Sequence, residues 1–434
     1  MTSIREALRG AVVAVSLCGP SARLALGGAA ASLVAATLAL AGPAIAQETV
    51  KIAFIDPLSG GGAPTGEAGL RHFQYMAEVL NARQKQFRFE VLAYDNKVNP
   101  QETVIAAQKG IDAGARVLVQ GNGSSAAAAL TEFVAKHNER NPDRQVIYIN
   151  YSAVDPSLTN EKCNYWHFRF DANSDIKMEA LTSFMKTRPE IKKVYLINQD
   201  YSFGQSVRRE ARAMLKAKRP DIEIVGDEVT PLQKVNDFAP YIAKIKASGA
   251  DSVITGNWAQ DFNLLLKAAA EAGLQAGFYT YYAGGTGGPS VVRQTGLANR
   301  VFEVSQGSAN EGEAATQDFE AAFRARTGIG STYPRVFNAM NALVTAMQEA
   351  GSSEARKVAP KLEQARLKPY TGSEGFVRPD DHQYFQTMFV SSFGPMEPGM
   401  RFDEEGTGWG WKMVGRVETK DTLVPTTCRM NRPS

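Results

Sequence analysis

The chain has 434 residues, with 48 basic against 45 acidic side chains, 44% apolar residues and only three cysteines. That is enough chain for two or three globular domains. The near-neutral balance offers no basic stripe to follow a phosphate backbone, so nucleic acid is not an expected partner. Four scattered histidines (His72, His137, His167, His382) and three distant cysteines exclude a local zinc cluster.

Residues 1–46 differ from the rest. Arg5, Arg9 and Arg23 precede an uncharged, alanine-rich run from Leu24, which ends in Ala44-Ile45-Ala46, the small-x-small pattern of a signal peptidase site. About 20 apolar residues would also span a bilayer. The run is rich in Ala and Gly rather than Leu and Ile, so export with cleavage after Ala46 is the expected course. Leu17 is too large to precede a lipid-anchor cysteine at Cys18, and no paired arginines mark a twin-arginine signal. Removing the segment leaves a net charge of about +1 and two cysteines, Cys163 and Cys428. In an oxidising compartment these are expected to pair, two free buried thiols being the alternative.

From Thr49 onward, β-rich runs alternate with amphipathic segments every 25–30 residues or so, the pattern of βα units in a parallel sheet. In chain order the expected strands are 50–58, 87–95, 117–120 and 145–151, then 193–198, 222–229, 252–256, 277–282 and 301–306. The expected helices between them are 66–82, 101–113, 124–138, 174–186, 204–218, 237–248 and 259–272. The segment Phe168–Asp175 separates two strand groups, each sufficient for one doubly wound domain. Helices then follow without intervening strands at 314–327, 333–349 and 354–365, before short antiparallel strands at 375–378, 383–392 and 409–417. The late helices must pack on a sheet already built, so the chain is expected to return to the first domain and finish on the second. The expected partition is 47–170 with 307–375, and 171–306 with 376–434.

Three strand-to-helix junctions of the first group hold small residues. Leu58–Gly66 contains Gly60-Gly61-Gly62 and Thr65 but lacks dinucleotide and phosphate-loop spacing, so no cofactor is expected. Gln120-Gly121-Asn122-Gly123-Ser124-Ser125 opens a helix whose unpaired N–H groups and serine hydroxyls suit a carboxylate, though a plain serine cap would read alike. The third junction is Asn150-Tyr151-Ser152-Ala153-Val154-Asp155. Ligands of open α/β sheets bind beyond such strand ends. In the second group the equivalent loops carry Tyr201 and Phe203, Trp258, and Tyr279-Thr280-Tyr281-Tyr282. Rings in three successive loops suit the wall of a cleft around an apolar ligand body. No nucleophile elbow, zinc-protease motif or reactive thiol is present in the sequence, so no enzyme chemistry is expected.

These residues together resemble the leucine/isoleucine/valine-type periplasmic binding proteins that deliver ligands to ABC importers. The resemblance runs through Val50-Lys51-Ile52-Ala53 with Leu58-Ser59-Gly60, Tyr94-Asp95-Asn96 with Pro100, and Gly121 through Ser125. It continues through Asp155-Pro156-Ser157-Leu158-Thr159 and Tyr201-Ser202-Phe203-Gly204-Gln205. It implies a type I periplasmic binding protein fold, with two Rossmann-like lobes, three crossovers and a ligand cleft that closes by hinge motion. It also implies a periplasmic monomer working with ABC permease and ATPase subunits. A secreted sensor docking to a receptor would look the same. By position, Ser124 resembles the carboxylate site, and Thr65, Ser152, Phe203 and Trp258 resemble pocket positions. Amino-acid binders of this family hold the α-ammonium with a hydroxyl two residues beyond the Ser152 position and an acid in the last aromatic loop. Here Val154 and Tyr282-Ala283-Gly284 stand there; Asp261 is a candidate replacement but is expected inside the following helix. The expected ligand is a carboxylate with an apolar or aromatic body lacking an α-amino group, a branched-chain or other hydrophobic amino acid being the alternative.

Overall fold

The computed structural model describes residues 47–433. The expected export segment, residues 1–46, lies outside the described residues, with Cys18.

The first sheet has five parallel strands in the order β2-β1-β3-β4-β5: β1 Glu48–Asp56, β2 Phe87–Asp95, β3 Val117–Gln120, β4 Ile147–Asn150 and β5 His167–Arg169. Val50 and Ile52–Asp56 are buried, as a central strand covered on both faces requires. Three helices connect the strands: α1 Ala63–Arg83, α2 Pro100–Asp112 and α3 Ser124–Arg140. α2 starts where Asn99 accepts from the Gln101 and Glu102 N–H groups and Pro100 supplies the first turn. In α3, Ala127, Leu130, Thr131, Val134 and Asn138 recur at helical spacing and are buried.

The second sheet has seven strands in the order β15-β14-β10-β9-β8-β6-β7. Its parallel part comprises β6 Lys193–Gln199, β7 Glu223–Thr230, β8 Ser252–Thr255, β9 Gly277–Thr280 and β10 Val301–Ser305, and β14 Met388–Pro395 and β15 Trp409–Val417 add an antiparallel edge. Its helices are α4 Ser174–Met185, α5 Ser202–Lys218, α6 Ala239–Ala247, α7 Ala259–Glu271 and α8 Gly288–Thr295. Of the late helices α9 Ala314–Thr327, α10 Pro334–Ala350 and α11 Ala355–Leu362, the last two bury Val336, Leu343, Val358 and Leu362 in the first sheet's core.

Three chain passages run side by side between the lobes. Gln306 donates to Phe170 O (2.9 Å), Gln383 donates to Asp171 O (2.8 Å), and Gln386 lies 3.3 Å from Gln306 O. A small sheet of β11 Arg366–Leu367, β12 Gly375–Val377 and β13 Tyr384–Gln386 sits at these crossings, with Tyr384 in the first core and Phe385 in the second.

The structure departs from the expected elements in three places. The expected strand 383–392 is two strands broken at Thr387, because the chain leaves the small sheet and enters the large one there. Phe168 and Arg169, read as part of a separator, form β5 with His167 and pair parallel to β4. Helix α8 was not anticipated, since its eight residues hide among Gly284, Gly285, Gly287 and Gly296. Past Thr422 the chain also comes back to the first lobe instead of finishing on the second. Thr426 donates to Thr159 O (2.8 Å), Thr427 N to Asn160 (2.8 Å), and Cys428 is disulfide-bonded to Cys163 as expected.

Candidate functional site

The loops at the carboxyl ends of both sheets face one cleft between the lobes. The first lobe contributes the start of α1. Its Thr65 hydroxyl donates to Gly62 O (2.7 Å), and Gly66 lets the helix pass so near the strand end that a Cβ there would lie 1.7 Å from Pro57 O. After β3, Gly123 takes φ +96°, a conformation that favours glycine, and so turns the chain into α3. The first backbone bond of that helix is Ala127 N to Gly123 O (3.0 Å), which leaves the N–H groups of Ser124, Ser125 and Ala126 without helical acceptors.

Asp56, at the end of β1, fixes this loop from behind. It accepts from Asn122 N (2.8 Å), Gly121 N (3.2 Å) and the Tyr151 hydroxyl (2.5 Å). Burial pushes its pKa up to about 7 against those three donors. Asn122 in turn donates to the Tyr151 hydroxyl (3.0 Å) and accepts from the Tyr333 hydroxyl (3.3 Å).

The donors converge at one end of the cavity. Ser124 Oγ accepts from Asp155 N (3.3 Å), and Ser152 Oγ accepts from Arg335 Nη2 (3.1 Å). Each hydroxyl therefore keeps its proton for a further acceptor. Arg335 lies in the first turn of α10, where the helix dipole disfavours a cation. It is held there by Asp171 (3.2 Å) and by donation to Tyr151 O (2.6 Å). Asp171 also pairs with the buried Lys177 (3.0 Å).

Rings line the second lobe's side. Trp258 Nε1 donates to the Tyr201 hydroxyl (2.9 Å), and the Phe203 ring meets those of Tyr201 and Tyr282 edge-on at 6.0 Å. The Tyr282 hydroxyl crosses the cleft, within bonding distance of Ser152 O (3.1 Å) and Asp171 (3.0 Å). Glu303, on β10, also reaches the cavity and accepts from Gly284 N. Burial raises its pKa to about 7, opposed by that N–H, Lys177 and Arg335 and reinforced by Asp171.

Eight residues expected at the site line this cavity: Thr65, Asn122, Gly123, Ser124, Ser152, Phe203, Trp258 and Tyr282. Tyr151 does not reach it and supports it from behind, while Ser125 is exposed on the outer side of α3. Asp261 is no replacement acid at the cleft, because it lies inside α7 with its carboxylate held by Gln199 (2.7 Å) and Gln233 N (2.8 Å). An acid does reach the pocket, but it is Glu303, which arrives from strand β10 rather than from the aromatic loop. Sequence reasoning also missed Asp56, Tyr333 and Arg335. The signals were there: an acid ending an apolar strand, and an arginine in the first turn of an otherwise apolar helix.

Two doubly wound lobes, three adjacent crossings and a cleft with donors at one end and rings along one side define a two-lobed solute-binding protein. Residues 49–394 match the periplasmic binding protein family, and the chain belongs to it. It is 32% identical to Leu/Ile/Val-binding protein homolog 4 of Brucella melitensis, over 93% of this chain and 98% of the relative. It is 25% identical to the leucine-, isoleucine-, valine-, threonine-, and alanine-binding protein of Pseudomonas aeruginosa, over 81% of this chain and 92% of that one. The solved structure of the leucine-, isoleucine-, valine-, threonine-, and alanine-binding protein from Brucella ovis, in its closed conformation, superposes with a TM-score of 0.80. It is 29% identical and covers 89% of this chain and 100% of its own. A benzoate-bound solute-binding protein of an R. palustris ABC transporter shares the fold at TM-score 0.74 and 17% identity, covering 88% of this chain and 99% of its own length.

Proposed function

We propose that this chain is the periplasmic solute-binding component of an ABC importer, exported by its first 46 residues, and that it closes around a carboxylate with an apolar or aromatic body. The observation that carries the ligand assignment is the surroundings of Ser152. In an amino-acid site, an ammonium placed beside this residue would use its carbonyl as an acceptor. Here that carbonyl already faces the Tyr282 hydroxyl, and the neighbouring Oγ is taken by the Arg335 guanidinium. An ammonium beside a guanidinium is repelled, and Val154 has no hydroxyl to hold it. A carboxylate meets the opposite situation. The Ser124 and Ser152 hydroxyls, the α3 N–H groups and Arg335 are all donors. The rings of Tyr201, Phe203 and Trp258 cover the apolar body.

A second reading, capture of leucine, isoleucine or valine, is favoured by the names of the relatives and by Glu303, an acid in the lining that would pair with an ammonium. Thermal-shift screening against aromatic acids, short fatty and keto acids and the amino acids separates the two. Stabilisation by simple carboxylates supports the first reading; tight leucine binding with no response to any simple carboxylate replaces it with the second.

A further inference from the structure

Backbone conformation singles out the line where the two lobes meet beside the ligand cavity. Among the described residues seven that are not glycine have φ between +52° and +57°, and four of them stand along this line: Lys97 and Val98 on the first lobe, Gln233 and Ala259 on the second. Lys97, Val98 and Gln233 line one groove that spans both lobes, and Ala259 lines the ligand cavity itself. Val98 is the unusual member, because a β-branched side chain suits a left-handed backbone least. The turn that imposes this conformation is built from the first lobe alone. Asp95 Oδ1 accepts from Leu58 N (2.9 Å) and Lys97 N (2.9 Å), Asn96 Oδ1 accepts from Val98 N (3.0 Å), and Asn99 N donates to Asn96 O (2.8 Å). Asn99 then caps α2, so the chain is fixed on both sides of Val98 without help from the second lobe.

The side chain of Val98 is set against two loops of the site. A Cβ at Gly123 would lie 2.9 Å from Val98 Cγ1, and one at Gly62 would lie 3.1 Å from Cγ2. Yet Val98 does not join the apolar core of its own lobe. It packs against that of the second lobe, as do Tyr201, Leu232 and Ala259, and it shares the groove with Asp200, Leu232 and Gln233 of that lobe. The receiving side is likewise built from its own lobe, since Asp261 inside α7 accepts from Gln233 N (2.8 Å) and from Gln199 (2.7 Å). Both faces of the contact are therefore preorganised, and closing the cleft brings them together at little further ordering cost. Val98 does not line the ligand cavity, so its contribution is to the closed arrangement of the lobes and not to recognition.

We propose that Val98 is the clasp of the closed cleft, a positioning residue whose side chain must leave the second lobe's apolar cluster before a bound ligand can escape. It sets the dissociation rate and leaves selectivity to the cavity. The proposal rests on the closing of the two lobes around a ligand and holds for an acid with or without an α-amino group. Stopped-flow tryptophan fluorescence on the full mature chain tests it, with benzoate, 4-methyl-2-oxopentanoate and leucine as probes. Val98→Ala removes the γ-methyls and keeps the backbone cost, whereas Val98→Gly removes both. In each, koff should rise about five- to tenfold while kon stays within about twofold and the order of affinity among the probes is unchanged. Urea midpoints separate a clasp from a merely structural role: glycine relieves the left-handed backbone, so Val98→Gly should be at least as stable as Val98→Ala although both release fast. Asn299, an exposed left-handed position before β10 and so at the opposite end of that strand from the cleft, is the control, and Asn299→Gly should keep wild-type rates. A wild-type koff in Val98→Ala overturns the proposal, as does a rate that returns toward wild type in Val98→Gly or an effect confined to one probe. Small-angle scattering of the same samples checks closure itself. If no probe shrinks the radius of gyration of wild type, the closing cleft is overturned and this proposal with it; a shrinking radius with unchanged release rates in the Val98 variants removes this proposal alone.

Discussion

Replacing Ser124 by alanine removes one hydroxyl at the donor end of the cavity, and the structure sets the size of the effect. Ser124 is 2% exposed, and its Oγ already accepts from Asp155 N at 3.3 Å, so its proton is directed to a different acceptor. Loss of one buried donor to a charged group costs about 1–2 kcal/mol of binding, roughly a 5–30-fold weaker Kd. The Asp155 N–H also loses its partner, which lowers folding stability by about 1 kcal/mol or somewhat more. Ser125 is the internal control. It occupies the same helix turn but is exposed and lies off the cavity, so Ser125→Ala should leave Kd within about twofold. Calorimetric titration of both variants with whichever carboxylate gives the largest thermal shift reads the difference directly. Equal effects of the two substitutions, or no loss in Ser124→Ala, would refute the placement of the carboxylate at the start of α3.

Three further outcomes are expected. Arg335→Met should weaken carboxylate binding by about 2–3 kcal/mol while Lys177 keeps Asp171 paired, so a variant that stays folded but binds normally would remove Arg335 from the site. Glu303 has a folded-state pKa of about 7 against an ordinary value of 4.5, so its ionisation on going from pH 6 to 8 adds a negative charge to the cavity. Affinity for a plain carboxylate should then fall about tenfold over that range, and Glu303→Gln should flatten the profile. In stability the native state retains a proton that the unfolded chain releases, so wild type should lose ground to Glu303→Gln as pH rises from about 4.5 to about 7 and remain level above that. Calorimetric binding isotherms and urea midpoints measured across pH check the two effects. The disulfide closes a sequence separation of 265 residues, and Cys428→Ser should cost about 2–5 kcal/mol of stability, visible as a lower urea midpoint unless the tail contacts to Thr159 and Asn160 hold alone.

The fold was legible because parallel sheets covered on both faces need compact apolar strands joined by amphipathic helices, and both periods survive in this chain. The site was partly legible for a related reason. Glycine and serine after β3, and rings after β6, β8 and β9, mark strand ends where a ligand approaches. Arg335 and Glu303 escaped because each enters the cleft from an element whose own pattern is ordinary, a late helix and a strand interior. Only the return of α10 to the first lobe and the pairing of β10 beside β9, whose following loop holds Gly284, bring both to one cavity. Thr387 shows the complementary limit: no local signal distinguishes one eight-to-ten-residue strand from two that end in different sheets.

The most direct test of the central claim is the mass spectrum of ligand released by denaturing the protein purified from its native host. A carboxylic acid without an α-amino group, bound at one per chain, is the result expected. Release of leucine, isoleucine, valine or another α-amino acid would contradict it.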